Sequence, residues 1–405
     1  MSSANAGSYT ISNLSGISIA DNAGTASNYT LTGGTHNFTV NQRVVSVNGT
    51  RLYNALSTAV ASDLSTHANL VGSQTLTLSG TGTIASKNVG SSKTVSLGTL
   101  ALADGSNGGL AANYTLTGGT HQLTVNQRPL VATLARQYDG TTTSAGSTLS
   151  SFDALQGGET LTMTGSGTAA SANVANGVMV ASPGTLALAD GTGLASNYSL
   201  NSTVLNITKR VLNSSGSKLY DANTNALAGA ITLSNLVSGE TLNHSGTASV
   251  SSANAGSYTI SNLSGISIAD NAGTASNYTL TGGTHNFTVN QRVVSVNGTR
   301  LYNALSTAVA SDLSTHANLV GSQTLTLSGT GTIASKNVGS SKTVSLGTLA
   351  LADGSNGGLA ANYTLTGGTH QLTVNQRPLA ATIARQYDGT KTASGSDLSL
   401  SLIHI

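Results

Sequence analysis

The chain has 405 residues, a formal net charge of +2 and only 7% charged residues, against roughly 25% in an ordinary soluble domain. No stretch approaches the roughly 18 consecutive apolar residues of a spanning helix, the 16 Lys and Arg are scattered singly and give no basic stripe for nucleic acid, and 38% hydrophobic residues with so little charge is not the balance of a disordered chain. With no cysteine, disulfides, zinc thiolates and cysteine nucleophiles are excluded.

The opening MSSANAGSYT has neither the basic nor the apolar region of an export signal. It belongs instead to a repeat, because residues 2–130 recur unchanged as 251–379. A shorter period lies inside the long one, marked by Tyr53, Tyr138, Tyr220, Tyr302 and Tyr387 at spacings of 85, 82, 82 and 85. Asn-Tyr pairs at Asn28-Tyr29, Asn113-Tyr114, Asn197-Tyr198, Asn277-Tyr278 and Asn362-Tyr363 track it, as do Arg43, Arg128, Arg210, Arg292 and Arg377. Taking the arginines as boundaries predicts a partial module at 1–43, whole modules at 44–128, 129–210, 211–292 and 293–377, and a second partial module at 378–399. Met1 stands where the internal copy has Val250, and LSLIHI from Leu400 to Ile405 departs from the repeat and reads as a translated sequencing adapter. The expectation is a segment cut from a longer array, with a non-native tail at 400–405.

In chain order, HNFTVNQR alternates Phe38 and Val40 against Thr39 and Asn41, the period of a half-buried strand. RLYNALSTAVASDLSTHANL carries the best helical pattern, with Leu52, Ala55, Leu56, Ala59 and Val60 able to line one face. Its counterpart QYDGTTTSAGSTLSSFDALQ holds Gly140, Gly146 and three successive threonines, which make a poor helix. This region is therefore read as a loop with at most a short helix. QTLTLSGTGT (Leu76, Leu78) and ETLTMTGSGT (Leu161, Met163) alternate again, with Thr outward. KTVSLGTLALAD extends the pattern in one run through Val95, Leu97, Leu100 and Leu102, and ADGSNGG and TGGTH supply turns. Closing strands recur at Leu123 and Val125 and at Leu205 and Ile207. The fold class predicted is mainly β: a tandem, elongated array of modules of about 83 residues, each sandwich-like, or β-grasp-like with one short helix. VNQRVVSV joins one module to the next without a linker, and no sub-period of about 20 to 30 residues marks a β-helix.

Candidate sites are few. His36, His121, His285 and His370 share a GGTH position that Thr203 fills in one module, and no second ligand lies at metal spacing, so they read as turn residues; His67, His244 and His316 are isolated. Asp104, Asp190 and Asp353, with Asp21 and Asp270, lie singly in glycine-rich loops, too few oxygens for calcium. Glu159 and Glu240 each open a strand where another module has Gln74, and no second carboxylate pairs with them as glycosidase chemistry requires. No G-x-S-x-G elbow or P-loop occurs. Neither an enzyme nor a cofactor or metal is expected. Asn28, Asn37, Asn113 and Asn206 begin Asn-x-Ser/Thr triplets, usable only in a glycosylating host.

RQYDGTTT at 136–143 and again at 385–392 with Lys391 for the middle Thr, KLYDANT at 218–224, ASKNVGSSKTVSLGTLAL at 85–102 and NYTLTGG with LTVNQRPL inside 113–130 resemble the YDG repeat of bacterial filamentous-haemagglutinin-like surface proteins. The motif residues Tyr53, Tyr138, Asp139, Gly140, Tyr220, Asp221, Tyr302, Tyr387, Asp388 and Gly389 are read as structural, a strand leading into a turn at a module's edge. Asn54 and Asn303 replace the Asp, and Ala55, Ala222 and Ala304 replace the Gly. The resemblance implies export, an extracellular or outer-membrane-associated location, and no catalytic residues. The function expected is a stalk segment of a large adhesin that projects a distal binding region. Host or matrix glycans or proteins are the partners expected, met outside this segment. The alternative is a set of weak glycan- or matrix-binding modules acting through avidity.

Overall fold

A computed structural model of the protein describes residues 3–400; of the expected tail at 400–405, all but Leu400 lies outside the described residues. The chain divides into two compact units, Met1–Thr208 and Lys209–Ile405. Strands joined by turns and single 3-10 turns build both, with no α-helix among the described residues.

In the first whole module the sheet order is Thr58–Val60, Thr81–Ile84, Gly90–Ser96, Gln122–Asn126, Ser46–Leu52 and Thr66–Ala68. The first and last long strands are neighbours at its centre and run parallel, from Asn48 beside Gln122 to Leu52 beside Asn126. Parallel neighbours need a long crossover, and the rest of the module supplies it. Alternation sets the faces: Val45, Val47, Leu123 and Val125 are buried while Ser46 and Thr124 between them are half-buried on the opposite face. Leu76–Ser79 pairs antiparallel with Ala101–Asp104 as a second layer. Leu76, Ile84, Val95, Leu100 and Leu116 fill the space in a sandwich-like core.

The same six-stranded order recurs as Thr143–Ala145, Ser166–Ala169, Ala175–Ser182, Tyr198–Thr208, Arg128–Gln137 and Leu149–Phe152. It recurs in the second unit around Asn213–Leu219 beside His285–Asn290, and Ser295–Leu301 beside Gln371–Asn375. Asn243–Val250 is long enough to pair with Ile266–Ala269 as well as with Gly256–Asn262, so one strand serves both layers.

Two sequence expectations need correction. The region at 51–70 is not a loop with a helix: Thr58–Val60 and Thr66–Ala68 are strands on either side of a 3-10 turn, Ala61–Asp63. Ala59 is fully buried whereas Leu52, Leu56 and Val60 are exposed, so the apolar residues do not share a helical face. KTVSLGTLALAD is not one run. Gly98 turns the chain at φ +56°, Leu100 N–H donates to Leu97 O at 2.8 Å, and the two halves enter different layers. The β-grasp alternative with its helix is likewise set aside for the sandwich-like module. In the partial module, Gly7–Thr10 and Asn37–Val40 form only a two-stranded sheet, which leaves Phe38 exposed where its counterpart Phe287 is buried in a complete one.

Candidate functional site

The motif tyrosine is placed by the last rung of the central parallel pair. N–H groups of Tyr53, Tyr138, Tyr220 and Tyr302 donate to carbonyls of Asn126, Thr208, Asn290 and Asn375, each at 2.9 Å. Tyr53, Tyr138 and Tyr220 are buried, Tyr302 is half-buried and Tyr387 is exposed. At the next position a side-chain oxygen accepts an N–H two residues on. Thr141 donates to Asp139 at 2.9 Å, Asn223 to Asp221 at 3.2 Å, and Thr390 to Asp388 at 2.9 Å. Leu56 donates to Asn54 and Leu305 to Asn303, both at 3.1 Å. Carboxylate and carboxamide serve this turn equally, which explains why the copies exchange them. The third position is left-handed in every copy, φ +77° at Gly140 and +76° at Gly389, but also +63° at Ala55, +62° at Ala222 and +64° at Ala304.

The basic residue two before the tyrosine follows the same exchange. Arg136 pairs with Asp139, Lys218 with Asp221 at 2.8 Å and Arg385 with Asp388 at 2.8 Å. Where Asn stands in the motif, Arg51 and Arg300 turn to Asp63 and Asp312 in the 3-10 turn, each at 3.1 Å. Burial works to raise the Asp221 carboxyl, but its bonds to Lys218 and to Asn223 N–H outweigh that and hold it below the usual carboxylate range.

Tyr53 and Tyr220 then reach into the following module. Tyr53 Oη donates to Glu159 Oε1 at 2.6 Å, Tyr198 Oη to Glu159 Oε2 at 2.8 Å, and Lys87 Nζ to Oε1 at 2.7 Å. The two rings meet edge to face, 5.3 Å between centroids and 77° between planes, and Lys87 Nζ lies 6.0 Å from the Tyr53 centroid. Burial pushes the Tyr198 phenol up to about 12. Burial also pushes Glu159 upward, but the bonds from Lys87, Tyr53 and Tyr198 prevail and its carboxyl is held below the usual value. The second unit repeats the clasp with a neutral centre. Gln323 Nε2 donates to Tyr220 Oη at 2.9 Å, Tyr363 Oη donates to Gln323 Oε1 at 2.5 Å, and the rings again cross at 77° with centroids 5.4 Å apart.

Two further contacts bind each such junction. The Asn of the Asn-Tyr pair hooks a loop of the preceding module: Asn197 Oδ1 accepts Val89 N–H at 2.9 Å and its Nδ2 donates to Asn88 Oδ1 at 3.0 Å. Asn362 treats Ala255 and Asn254 the same way at 2.7 and 3.0 Å, and Asn113 treats Ala6 and Asn5 at 2.7 and 2.9 Å. The glutamine before three of the closing arginines braces the next module's 3-10 turn, Gln42 to Ala112 O at 3.1 Å, Gln127 to Ser196 O at 3.2 Å and Gln291 to Ala361 O at 3.0 Å. Arg128 Nε donates to Tyr53 O at 2.8 Å. At Gly157 the next module comes so close that a Cβ there would lie 2.9 Å from the Ala55 methyl.

The sequence singled out the tyrosine and marked the Asn-Tyr pair only as a landmark. It missed Glu159, Gln323 and Lys87 as junction residues, although Lys87 and Glu159 arrive as opposite charges in successive modules.

Other candidates make hydrogen bonds within their own modules. His121, His285 and His370 are buried, with Nε2 on the carbonyls of Leu116, Leu280 and Leu365 at 2.8, 2.8 and 2.9 Å. Their Nδ1 atoms meet Val47 N–H at 3.3 Å, Ser214 Oγ at 2.9 Å and Val296 N–H at 3.3 Å, so each ring ties a turn to the opening strand. Asp104, Asp190, Asp270 and Asp353 accept the first N–H of a 3-10 turn, at Ala111, Ala195, Ala275 and Ala360, each at 2.7 Å. Among the described residues no three His, Cys, Asp or Glu side chains gather as a metal site, and no helix is long and apolar enough to cross a membrane.

The family model of the YDG domain matches this chain four times, at residues 35–122, 120–205, 204–286 and 287–371. No curated protein matches it.

Proposed function

The chain belongs to the YDG domain family, and from that premise we propose that it is a stalk segment of a large exported bacterial surface adhesin, which holds a distal binding region away from the cell. The observation that carries this reading is the junction: Tyr53, Glu159, Tyr198 and Lys87 in one unit, and Tyr220, Gln323 and Tyr363 in the other, join successive modules through largely half-buried polar contacts. A string of domains on flexible linkers has no use for such a clasp, whereas a spacer that must keep its reach depends on it. The filamentous-haemagglutinin-like context and surface location rest on the resemblance of the repeat.

Small-angle scattering of the full chain tests the reading. A compact particle of this length has a radius of gyration of about 22 Å; a stalk segment gives at least 1.5 times that value and a rod-like profile. A value near the compact one rejects the proposal. The glycan-binding alternative draws less support, since it needs exposed aromatic platforms and Tyr53, Tyr114, Tyr138, Tyr198, Tyr220, Tyr278 and Tyr363 are all buried.

A further inference from the structure

In every whole module the strand by which the chain enters and the strand by which it leaves are hydrogen-bonded neighbours that run parallel. The incoming chain therefore joins one end of this pair and the outgoing chain leaves from the opposite end. Tension along the backbone pulls the two strands past each other, along their own axes. Every inter-strand hydrogen bond is loaded at once, whereas pulling both strands from the same end would open the bonds one by one. Between Asn126 and Arg128 a single residue separates the closing strand of one module from the opening strand of the next, so no slack segment takes up the load before the pair does.

We propose that each module is a tension-bearing clamp, with the parallel pair as its load-bearing element. The idea rests on the stalk reading for the source of the tension, but the clamp is a property of one module's topology. The modules are graded. The pair in 129–210 has ten residue pairs, Arg128 beside Tyr198 to Gln137 beside Thr208, three before and seven after a register shift between Leu130 and Val131. In 211–292 six pairs, Ser214 beside His285 to Leu219 beside Asn290, stand in one run and two more, at Arg210–Val211, in another, and Tyr220 N–H follows on Asn290 O at 2.9 Å. In 44–128 and 293–377 five pairs stand in one run and two more, at Arg43–Val44 and Arg292–Val293, in another. The tyrosine of the YDG motif is thus the residue whose N–H closes the clamp, and at Tyr53 and Tyr220 the ring locks the loaded end onto the next module.

Single-molecule force spectroscopy on the full chain tests this. Pulled through tags at its ends, the protein should unfold in discrete steps that each release about 270 Å of chain, for modules of about 80 residues at ~3.4 Å each, with 129–210 yielding last. The chain lacks cysteine, so handles attach only where they are introduced. In a Gln137→Cys, Thr208→Cys variant, two exposed residues at the same end of the pair, the module is peeled instead of sheared and should open at less than half the force. A Pro129→Cys, Asn201→Cys variant peels it from the other end and should do the same. Each variant is also pulled through its terminal tags, where the retained final step shows that the module is folded. Equal forces in the two directions, or end-pulled traces without discrete steps, overturn the clamp. A compact particle in scattering would reject the stalk and leave the directional result standing.

Discussion

Ser144 stands where the other whole modules carry Ala59, Ala226 and Ala308, and all four positions are buried to 0–0% exposure. Its hydroxyl is buried without a hydrogen-bond partner, and a polar group left so costs roughly 1–3 kcal/mol. The alanines show that the pocket accepts a methyl group, so removal of the oxygen leaves little void. Ser144→Ala should therefore stabilise the module at 129–210 by about 1 kcal/mol, seen as a higher urea midpoint with an unchanged slope. A lower midpoint would show that the hydroxyl contributes to the fold. The sequence exposes the substitution, because the copies align, but not its cost, which depends on what the neighbouring strands bring to the oxygen. By contrast, the exchange of Asp139 with Asn54 was legible as a turn from the copies alone, since the bond it makes lies only two residues away.

The clasp between modules differs in chemistry from one junction to another, and acid separates them. Glu159 accepts hydrogen bonds from Tyr53, Lys87 and Tyr198 and its folded-state pKa lies below the unfolded value of 4.5. A group with a depressed folded pKa adds stability that is complete above the unfolded value and disappears as pH falls through the folded one. The contact between modules 44–128 and 129–210 should weaken below about pH 4.5, while the Gln323 clasp, which carries no carboxylate, has no such loss. At the alkaline end the sign reverses. Tyr198, raised from 10.0 to about 12, contributes fully below pH 10 and ceases to do so as pH rises through about 12. Hydrogen exchange on the full chain between pH 3 and 7 reads the acid limb, and Glu159→Gln should flatten it at a cost of about 1.5–3 kcal/mol near neutrality, the range for hydrogen bonds to a charged group. Acid loss that persists in the variant would assign it to another carboxylate. At this scale the strands were legible wherever one face is buried, as at Leu123 and Val125. The region at 51–70 misled because Leu52, Ala55, Leu56 and Val60 have helical spacing, while Ala59 is the one of the five that is fully buried and Asp63 closes a 3-10 turn on Val60 N–H at 3.1 Å. The junction residues were illegible for a plainer reason: Tyr53 and Glu159 are 106 positions apart, and Asn197 is 108 from Val89.

Over a whole unit the junctions decide how many modules unfold together. In the second unit one apolar cluster runs without a break from Tyr220, Ile231, Phe287 and Val289 to Leu313, Leu325, Tyr363 and Leu372, and so through both of its whole modules. Repeat proteins divide stability between the repeats and the interfaces that couple them, and here the interface contains an edge-to-face aromatic pair and a half-buried carboxamide. Tyr220 belongs in sequence to the module at 211–292, but its ring and hydroxyl face Tyr363 and Gln323 of the next. Tyr220→Ala should cost about 3 kcal/mol, at the low end for removal of a buried aromatic ring, and the loss should appear on both sides of the junction. Hydrogen exchange of the full chain distinguishes the cases: protection should fall around Asn213–Leu219 and also around Leu325–Ser328 and Tyr363, while the strands of 44–128 keep theirs. Protection lost in 211–292 alone would mean that the modules are independent beads in contact. Loss in both means that Tyr220 couples the folding of its module to that of the next, so that this joint resists loosening.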